Sequence, residues 1–428
     1  MKRFLRSAVL KILEFLAKKK LQGLDATIIG ITGSVGKTSC KELVADILSK
    51  KYRVLKNEKS YNSEFGLLLT ILRQTSGFSS PIQWIKIIVK GFFQAFFVNE
   101  SFDYLVLEMG VDKPGDMDYL TRIAPPDIAI MTAIKPVHLD VAQFASLEEV
   151  FNEKKKIVSG MKKTGTAFIT LDDKFISKLA SEKKGKVVTY SQNKTADFYA
   201  DEVEQTEEGL KFKVNFKGDS FNAFVPLFGK YQLTMILPAI IAGIKAEVPI
   251  HDIQAALKAF SLPPGRMSLI EGVQNTLILD SSYNASPEAV KEALKVLDFF
   301  GKKRSTRRVF VFGNMNELGS HSKSLHQEVG EHIPANADML ITVGKDVGYT
   351  AESAKKKGLP DENIKSFENV HQAVDFYKKE LKTGDIILVK GSQNKVRLEI
   401  FVKAFMLRPE EAKDVLARQE GNWENIAP

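Results

Sequence analysis

Apolar positions along this chain fall in short unbroken runs separated by stretches with helical spacing. The first such run, 26–31, is rich in β-branched residues and predicts a strand buried on both faces. It breaks into a glycine-containing loop and then into a helix over 37–48. Further strands are expected at 102–110, 127–134 and 167–171, while 187–225 alternates in the manner of an antiparallel sheet. An apolar helix should cover 229–246. Leu262-Pro263-Pro264-Gly265-Arg266-Met267 reads as a linker, and the pattern then restarts. Strands at 276–279, 308–312, 339–343 and 385–389 alternate with helices, the first of them over 287–299. The reading is α/β: a domain over 25–262, a second, Rossmann-like doubly wound domain over 263–408, and a polar, peripheral tail over 409–428.

Two segments fit neither domain. Residues 1–24 form a basic amphipathic helix, with Phe4, Leu5, Ala8, Val9, Ile12, Leu13, Phe15 and Leu16 at mostly helical spacing. It is too short and too charged to span a bilayer, and no small-residue cleavage site follows it. The stretch 81–98 holds Trp84, four phenylalanines and several isoleucines, interrupted by Lys86 and Lys90. Together they suit peripheral contact with a membrane through 1–21 and 81–98, or packing of one on the other.

Charge adds little beyond this. Of the net +9, much lies in the first twenty residues, where Lys2, Arg3, Arg6, Lys11, Lys18, Lys19 and Lys20 face only Glu14. The remainder is only slightly basic, so nucleic acid is not expected as a partner. A single cysteine, Cys40, excludes a disulfide framework and a cysteine zinc site, and suits a reducing, cytoplasmic compartment.

The candidate chemistry begins at Ile31-Thr32-Gly33-Ser34-Val35-Gly36-Lys37-Thr38-Ser39. A strand, a glycine loop and a helix start make an anion site, because backbone N–H groups and the helix dipole point at phosphate and Lys37 adds charge. Thr38 or Ser39 offers a hydroxyl for Mg²⁺. The first glycine of the strict phosphate-loop pattern is replaced by Ile31. Glu108 ends a strand, where a metal-binding carboxylate belongs in an open α/β sheet. His138 stands on the loop after the next strand, and Lys154 lies in a lysine run on the helix opened by Ser146-Leu147-Glu148-Glu149. Taken alone, that run is a solvated face, and the amides near Asn62 are a polar loop.

In order along the chain, these residues resemble the Mur ligase family, MurF type. The phosphate loop matches, including the missing glycine, and so do Tyr61-Asn62-Ser63-Glu64-Phe65-Gly66, Glu108-Met109-Gly110 through Pro114-Gly115, and Val137-His138-Leu139-Asp140. Later blocks are Gly265-Arg266-Met267, Asp280-Ser281-Ser282-Tyr283-Asn284-Ala285-Ser286-Pro287, Gly313-Asn314-Met315-Asn316-Glu317-Leu318-Gly319, His326 with Gly330, and Val389-Lys390-Gly391-Ser392.

The resemblance implies a phosphate-loop central domain followed by a ligase domain, and an ATP-dependent ligase that phosphorylates a carboxylate for attack by an amine. The expected substrates are a muramoyl peptide and D-Ala-D-Ala. Gly33, Ser34, Gly36, Lys37, Thr38 and Ser39 would hold ATP phosphates, with Arg266 at the γ-phosphate and Asp280, Tyr283 and Asn284 along the nucleotide. Thr38 and Glu108 would bind one Mg²⁺, and His138 with a carbamylated Lys154 a second. Lys37, His138, Lys154 and Arg266 would carry the catalysis; Asn62, Asn316, Glu317, Lys390 and Ser392 would face the substrates.

The chain also departs from the family. The domain that grips the UDP end of the substrate has no counterpart before Thr27, where the basic helix stands in its place. Thr132-Ala133-Ile134-Lys135 lacks an Asn, Gly229-Lys230-Tyr231-Gln232 replaces the usual adenine-side residues, and Ser281 and Asn314 stand for aspartates. The competing expectations are the same chemistry on another acid and amine, and a nucleotide-binding scaffold without catalysis.

Overall fold

The computed structural model describes residues 2–58, 61–77, 80–135, 144–182, 186–316, 318–392 and 396–419. Two sheets organise the chain. The first holds nine strands in the order β2-β3-β1-β4-β5-β6-β7-β8-β9: β1 Thr27–Thr32, β2 Val54–Lys56, β3 Tyr104–Glu108, β4 Ile128–Met131, β5 Thr166–Thr170, β6 Lys186–Ser191, β7 Phe198–Gln205, β8 Leu210–Phe216 and β9 Asp219–Val225. From β2 to β7 neighbours are parallel, and only β7-β8-β9 are antiparallel. The antiparallel expectation over 187–225 therefore holds from β7 onward and fails for β6, which runs beside β5.

Period-2 alternation assigns the two faces of this sheet. Ile29, Ile31, Val106 and Ile130 point to one side, where α2 (Lys37–Leu48) and the helix Leu233–Lys245 complete a core. Ile28, Leu105, Leu107, Ala129 and Met131 point to the other. There they meet α1 (Lys2–Gln22), α3 (Glu64–Ile71), α4 (Pro81–Phe96), α5 (Asp116–Ile123) and α6 (Leu147–Lys154). The N-terminal helix thus docks on the body through Leu13, Leu16 and Ala17, all buried, and Lys20 donates to the Val98 carbonyl at 2.7 Å.

The second sheet runs β10-β11-β15-β12-β13-β14: β10 Ser268–Glu271, β11 Leu277–Ser281, β12 Arg308–Gly313, β13 Met339–Val343, β14 Ile364–Phe367 and β15 Ile386–Lys390. All pairs are parallel except β10 with β11. The edge strands β10 and β14 have four residues each, too short to show alternation in sequence. Each face has its own core, one around Leu279, Phe310 and Phe312 and the other around Ile278, Val311 and Val389.

The segment after Met406 is not peripheral as far as Gln419. Ala412, Leu416 and Ala417 are buried, Arg418 donates to the Ser282 carbonyl at 2.6 Å, and Arg418 pairs with Glu399 at 3.3 Å.

Candidate active site

In an open parallel sheet, ligands bind beyond the carboxyl ends of the strands where the order reverses. Here that point is β1, flanked by β3 and β4, with Ile31 in register with Glu108 and Thr32 with Met131. The loop leaving β1 is bound tightly to the residues that follow β4. Ser34 N–H donates to the Ala133 carbonyl at 2.7 Å, Ser34 Oγ to the Lys135 carbonyl at 3.0 Å, and Thr132 Oγ1 to the Val35 carbonyl at 2.5 Å. Thr132 thus anchors the loop through its hydroxyl in the segment that lacks the family's Asn. Gly33 is required at φ 147°, where an added Cβ would lie 2.1 Å from Thr132 Oγ1. Gly36, at φ 82°, opens α2.

Lys37 Nζ donates back to the Gly33 and Ser34 carbonyls at 2.9 and 3.3 Å, holding its charge over the loop. Burial lowers its pKa, opposed by Glu108 and reinforced by Arg266. Thr38, half-buried, and Ser39, buried, follow on the first turn of α2.

Glu108 is set by residues that sequence reasoning passed over. Asn57 is fully buried, accepts the Glu108 N–H at 2.8 Å, and donates to the Glu108 and Tyr61 carbonyls at 3.1 and 2.7 Å. Asn57 is itself held by buried Lys41, whose Nζ reaches its carbonyl at 2.5 Å. No local signal in the sequence marks either residue as buried. Asn62 Nδ2 donates to Glu108 Oε1 at 3.1 Å, so the structure brings this expected substrate residue onto the carboxylate. Glu108 Oε2 is buried with no hydrogen-bond partner among the described residues.

A buried carboxylate oxygen left unpartnered beside a phosphate loop fits a hard cation, since Mg²⁺ is commonly held by one or two protein oxygens together with phosphates. Among the described residues, no three of His, Cys, Asp and Glu form a metal cluster. His138 and Glu317 lie outside the described residues.

Lys154 sits in the last turn of α6, and its position is specified locally. Ser146 caps that helix by accepting Glu149 N–H at 3.2 Å, while Glu149 accepts the N–H of Ala145, one residue before the cap, at 2.9 Å. Neighbouring Glu153 caps α5 by accepting from Gly115 and Met117 N–H at 3.0 and 2.8 Å. Lys154 is 1% exposed, so the lysine run is not simply a solvated face. Burial, and after it the charge of Lys37, bring its pKa down to about 7, while Asp112 opposes.

The second sheet presents its own strand ends. Asp280 is buried, with Oδ1 accepting Ser282 N–H at 3.0 Å and Oδ2 unpartnered; burial raises its pKa to about 6. Lys390 Nζ donates to Ser281 Oγ at 3.0 Å and to the Asn284 carbonyl at 2.9 Å, and burial lowers it to about 7. The serine at 281 therefore partners Lys390. Ser392 Oγ accepts Asn316 N–H at 2.9 Å and donates to the Ala285 carbonyl at 3.2 Å, linking three blocks. Asn314, in an aspartate's place, accepts Asp346 and Val347 N–H at 3.1 and 3.2 Å through Oδ1, a task either residue performs.

Between the sheets runs Gly265-Arg266-Met267. Gly265 and Met267 both have positive φ, 75° and 69°, so the crossing is strained where a cation is presented. The Arg266 guanidinium lies 4.4 Å from the Tyr283 ring centroid, and its Nε is buried without a partner among the described residues. Its charge is felt at both Lys37 and Lys390, which brings the two halves of the site within electrostatic reach. Asn284 is exposed. An open groove of about 470 Å³ on β7–β9, lined by Glu204, Lys211, Phe224 and Lys258 among others, carries none of these residues.

His326 supports the Gly313–Asn316 turn. Its Nδ1 faces the Ser322 carbonyl at 2.8 Å and so carries the proton, leaving Nε2 bare to accept Met315 N–H at 3.1 Å. Burial lowers its pKa below the usual 6.5. The unfolded chain therefore binds more protons than the folded one just below pH 6.5, and stability falls there as pH drops. His326→Ala should cost about 1–3 kcal/mol at pH 7.5, because a buried N–H loses its acceptor. The gap to the parent should narrow toward pH 5, which paired thermal melts would measure.

Comparison with known proteins gives a consistent answer. The Mur ligase middle domain family matches residues 31–243, and the Mur ligase, glutamate ligase domain family matches 265–393. The UDP-N-acetylmuramoyl-tripeptide–D-alanyl-D-alanine ligase of Bacillus subtilis (strain 168) is 30% identical over 404 residues, covering 94% of this chain and 80% of that protein. Among solved structures, MurF from Acinetobacter baumannii superposes with a TM-score of 0.75 at 22% identity, over 91% of this chain and 79% of that one. MurF ligase from Thermotoga maritima in complex with ADP gives 0.74 at 24% identity, over 94% and 84%. With both domains matched in order along one chain, and a similar fold over nine-tenths of its length, the chain belongs to the Mur ligase family and, within it, to the MurF type.

Proposed function

We propose that this chain is a cytoplasmic, ATP-dependent amide ligase that adds D-Ala-D-Ala to a UDP-N-acetylmuramoyl tripeptide in peptidoglycan precursor synthesis. The observation that carries the reading is the phosphate-loop geometry, with Lys37 at the start of α2 holding its Nζ over the loop through the Gly33 and Ser34 carbonyls and the buried Glu108 carboxylate beside it. A cation held over a phosphate loop, with Arg266 also within its electrostatic reach, suits a polyphosphate, and the Glu108 carboxylate beside it suits the polyphosphate's metal.

The tripeptide carboxylate attacks the γ-phosphorus, the bond from γ-phosphorus to the bridging oxygen breaks, and ADP leaves. The amine nitrogen then attacks the acyl carbon, the carbon–oxygen bond to phosphate breaks, and the amine gives up a proton. Both partners in the first step are anions, so lowering their repulsion is the main task. Lys37 and the loop N–H groups of 33–38 would take the β/γ-phosphates, and Arg266 the γ-phosphate. Thr38 and Glu108 would hold Mg²⁺, which supplies further charge neutralisation; His138 and a carbamylated Lys154 would hold a second ion. Asp280, Tyr283 and Asn284 would contact the nucleotide. Asn62, Asn316, Glu317, Lys390 and Ser392 would face the acid and the amine.

The test is phosphate release from ATP and Mg²⁺ with UDP-muramoyl tripeptide and D-Ala-D-Ala added singly and together. Release only with both, and a pentapeptide product by mass, is expected. ATP binding with no release would point to a different acid and amine. An absence of ATP binding would leave a scaffold as the surviving reading.

A further inference from the structure

Helix α4 is apolar on both sides. Ile87 and Gly91 are buried toward the body, and Leu16 of α1 and Leu72 stand next to Gly91. At 100° per residue, Ile82, Ile85, Val89, Phe92, Phe93 and Phe96 fall on the opposite side within an arc of about 100°. All six are 41–67% exposed. Phe97 and, from α1, Phe15 extend this surface at 69% and 62% exposure, and Phe15 lies 6.5 Å from Phe96 between ring centroids. At about 200 Å² per full side chain, the patch is on the order of 800 Å², beyond what a monomer's surface ordinarily leaves apolar.

Its border is cationic. Lys86 and Lys90 are exposed and, by the same helical arithmetic, both lie along one edge of the apolar arc. Lys19 of α1 sits 5.9 Å from the centroid of Phe96. Helix α4 contains no acidic residue. Glu14 of α1 and Glu100, which follows α4 in sequence, already face other cations: Glu14 pairs with Lys18 and Arg122, and Glu100 with Arg73. A second copy of this surface would bring like charges together, whereas an anionic bilayer complements both the rings and the lysines.

We propose that the joint outer face of α1 and α4 docks peripherally on an anionic membrane. No helix among the described residues is long and apolar enough to cross one, so both helices lie in the plane. The phenylalanines enter the acyl boundary while the lysine stems extend toward lipid phosphates. None of the candidate active-site residues belongs to this face.

Sedimentation of the full chain with vesicles tests this, using phosphatidylglycerol mixed with phosphatidylcholine against phosphatidylcholine alone. Binding to the anionic vesicles is expected at about 0.1 M salt, weakening about fivefold or more on neutral vesicles or at about 0.5 M. Phe93→Glu with Phe97→Glu should weaken it about tenfold or more, with unchanged melting because both rings face solvent. Lys86→Gln with Lys90→Gln should remove mainly the preference for anionic lipid. Failure to bind anionic vesicles, or undiminished binding by the phenylalanine variant, would overturn the proposal. So would a dimer in analytical ultracentrifugation that the same variant dissolves, which would assign the face to a second copy.

Discussion

Lys37→Ala should reduce ligase turnover by about 10³-fold or more while leaving the fold intact. The side chain's hydrogen bonds are to two carbonyls of its own loop, and the loop is anchored independently through Ser34 and Thr132. Burying an amine whose pKa is already lowered adds little stability, so the variant should melt within about 1 kcal/mol of the parent. The loss should therefore fall on catalysis and ATP binding together, read by phosphate release and by nucleotide titration. A variant that keeps more than about a tenth of parental turnover would show that the loop amides and Arg266 suffice without this charge.

Lys154→Ala carries the second large effect, a fall of about 10²–10³-fold in turnover. A lysine beside Lys37 contributes nothing useful as a second cation, but its neutral amine can attack carbon dioxide and, with loss of a proton, become a carbamate anion. The sign of the pH dependence follows from burial. The pKa is lowered to about 7, so the neutral amine dominates above that value and is lost as pH falls through it. Carbamylation, and any activity that depends on it, should decline below pH 7 and be restored by added bicarbonate at fixed pH. A carbamate carbon signal in protein equilibrated with ¹³C-bicarbonate, absent from Lys154→Ala, is the direct measurement. Parental activity that ignores bicarbonate in degassed buffer, with no such signal, would count against the carbamate.

Much of this site was legible because its signals are local. The apolar run before Gly33, the glycines and Lys37 are adjacent in the chain, and strand, turn and helix start follow from backbone preference alone. The helix start at Ser146 was legible for the same reason. Asn57 and Lys41 were not: a polar residue in a loop and a lysine on a helix look solvated until Asn57 is seen to bond a distant strand, β3, and Lys41 to hold Asn57. Strand β6 was misread as antiparallel because direction is set by its neighbour β5, which lies elsewhere in sequence. The polar composition of 409–419 concealed that a few apolar residues, Ala412 and Leu416 among them, are enough to seat it. The departures at Ser281 and Asn314 looked costly as letters, yet each finds a partner in the structure.

The two sheets keep separate cores, joined at a strained three-residue crossing and by contacts such as Phe228 with Phe300 and Arg304 with Glu207. In calorimetric terms, the halves are expected to melt as two units rather than one. A nucleotide gripped by both would couple them, since binding stabilises only the chain in which both are folded. A core substitution far from any catalytic atom, in either half, would then register first as weaker nucleotide affinity.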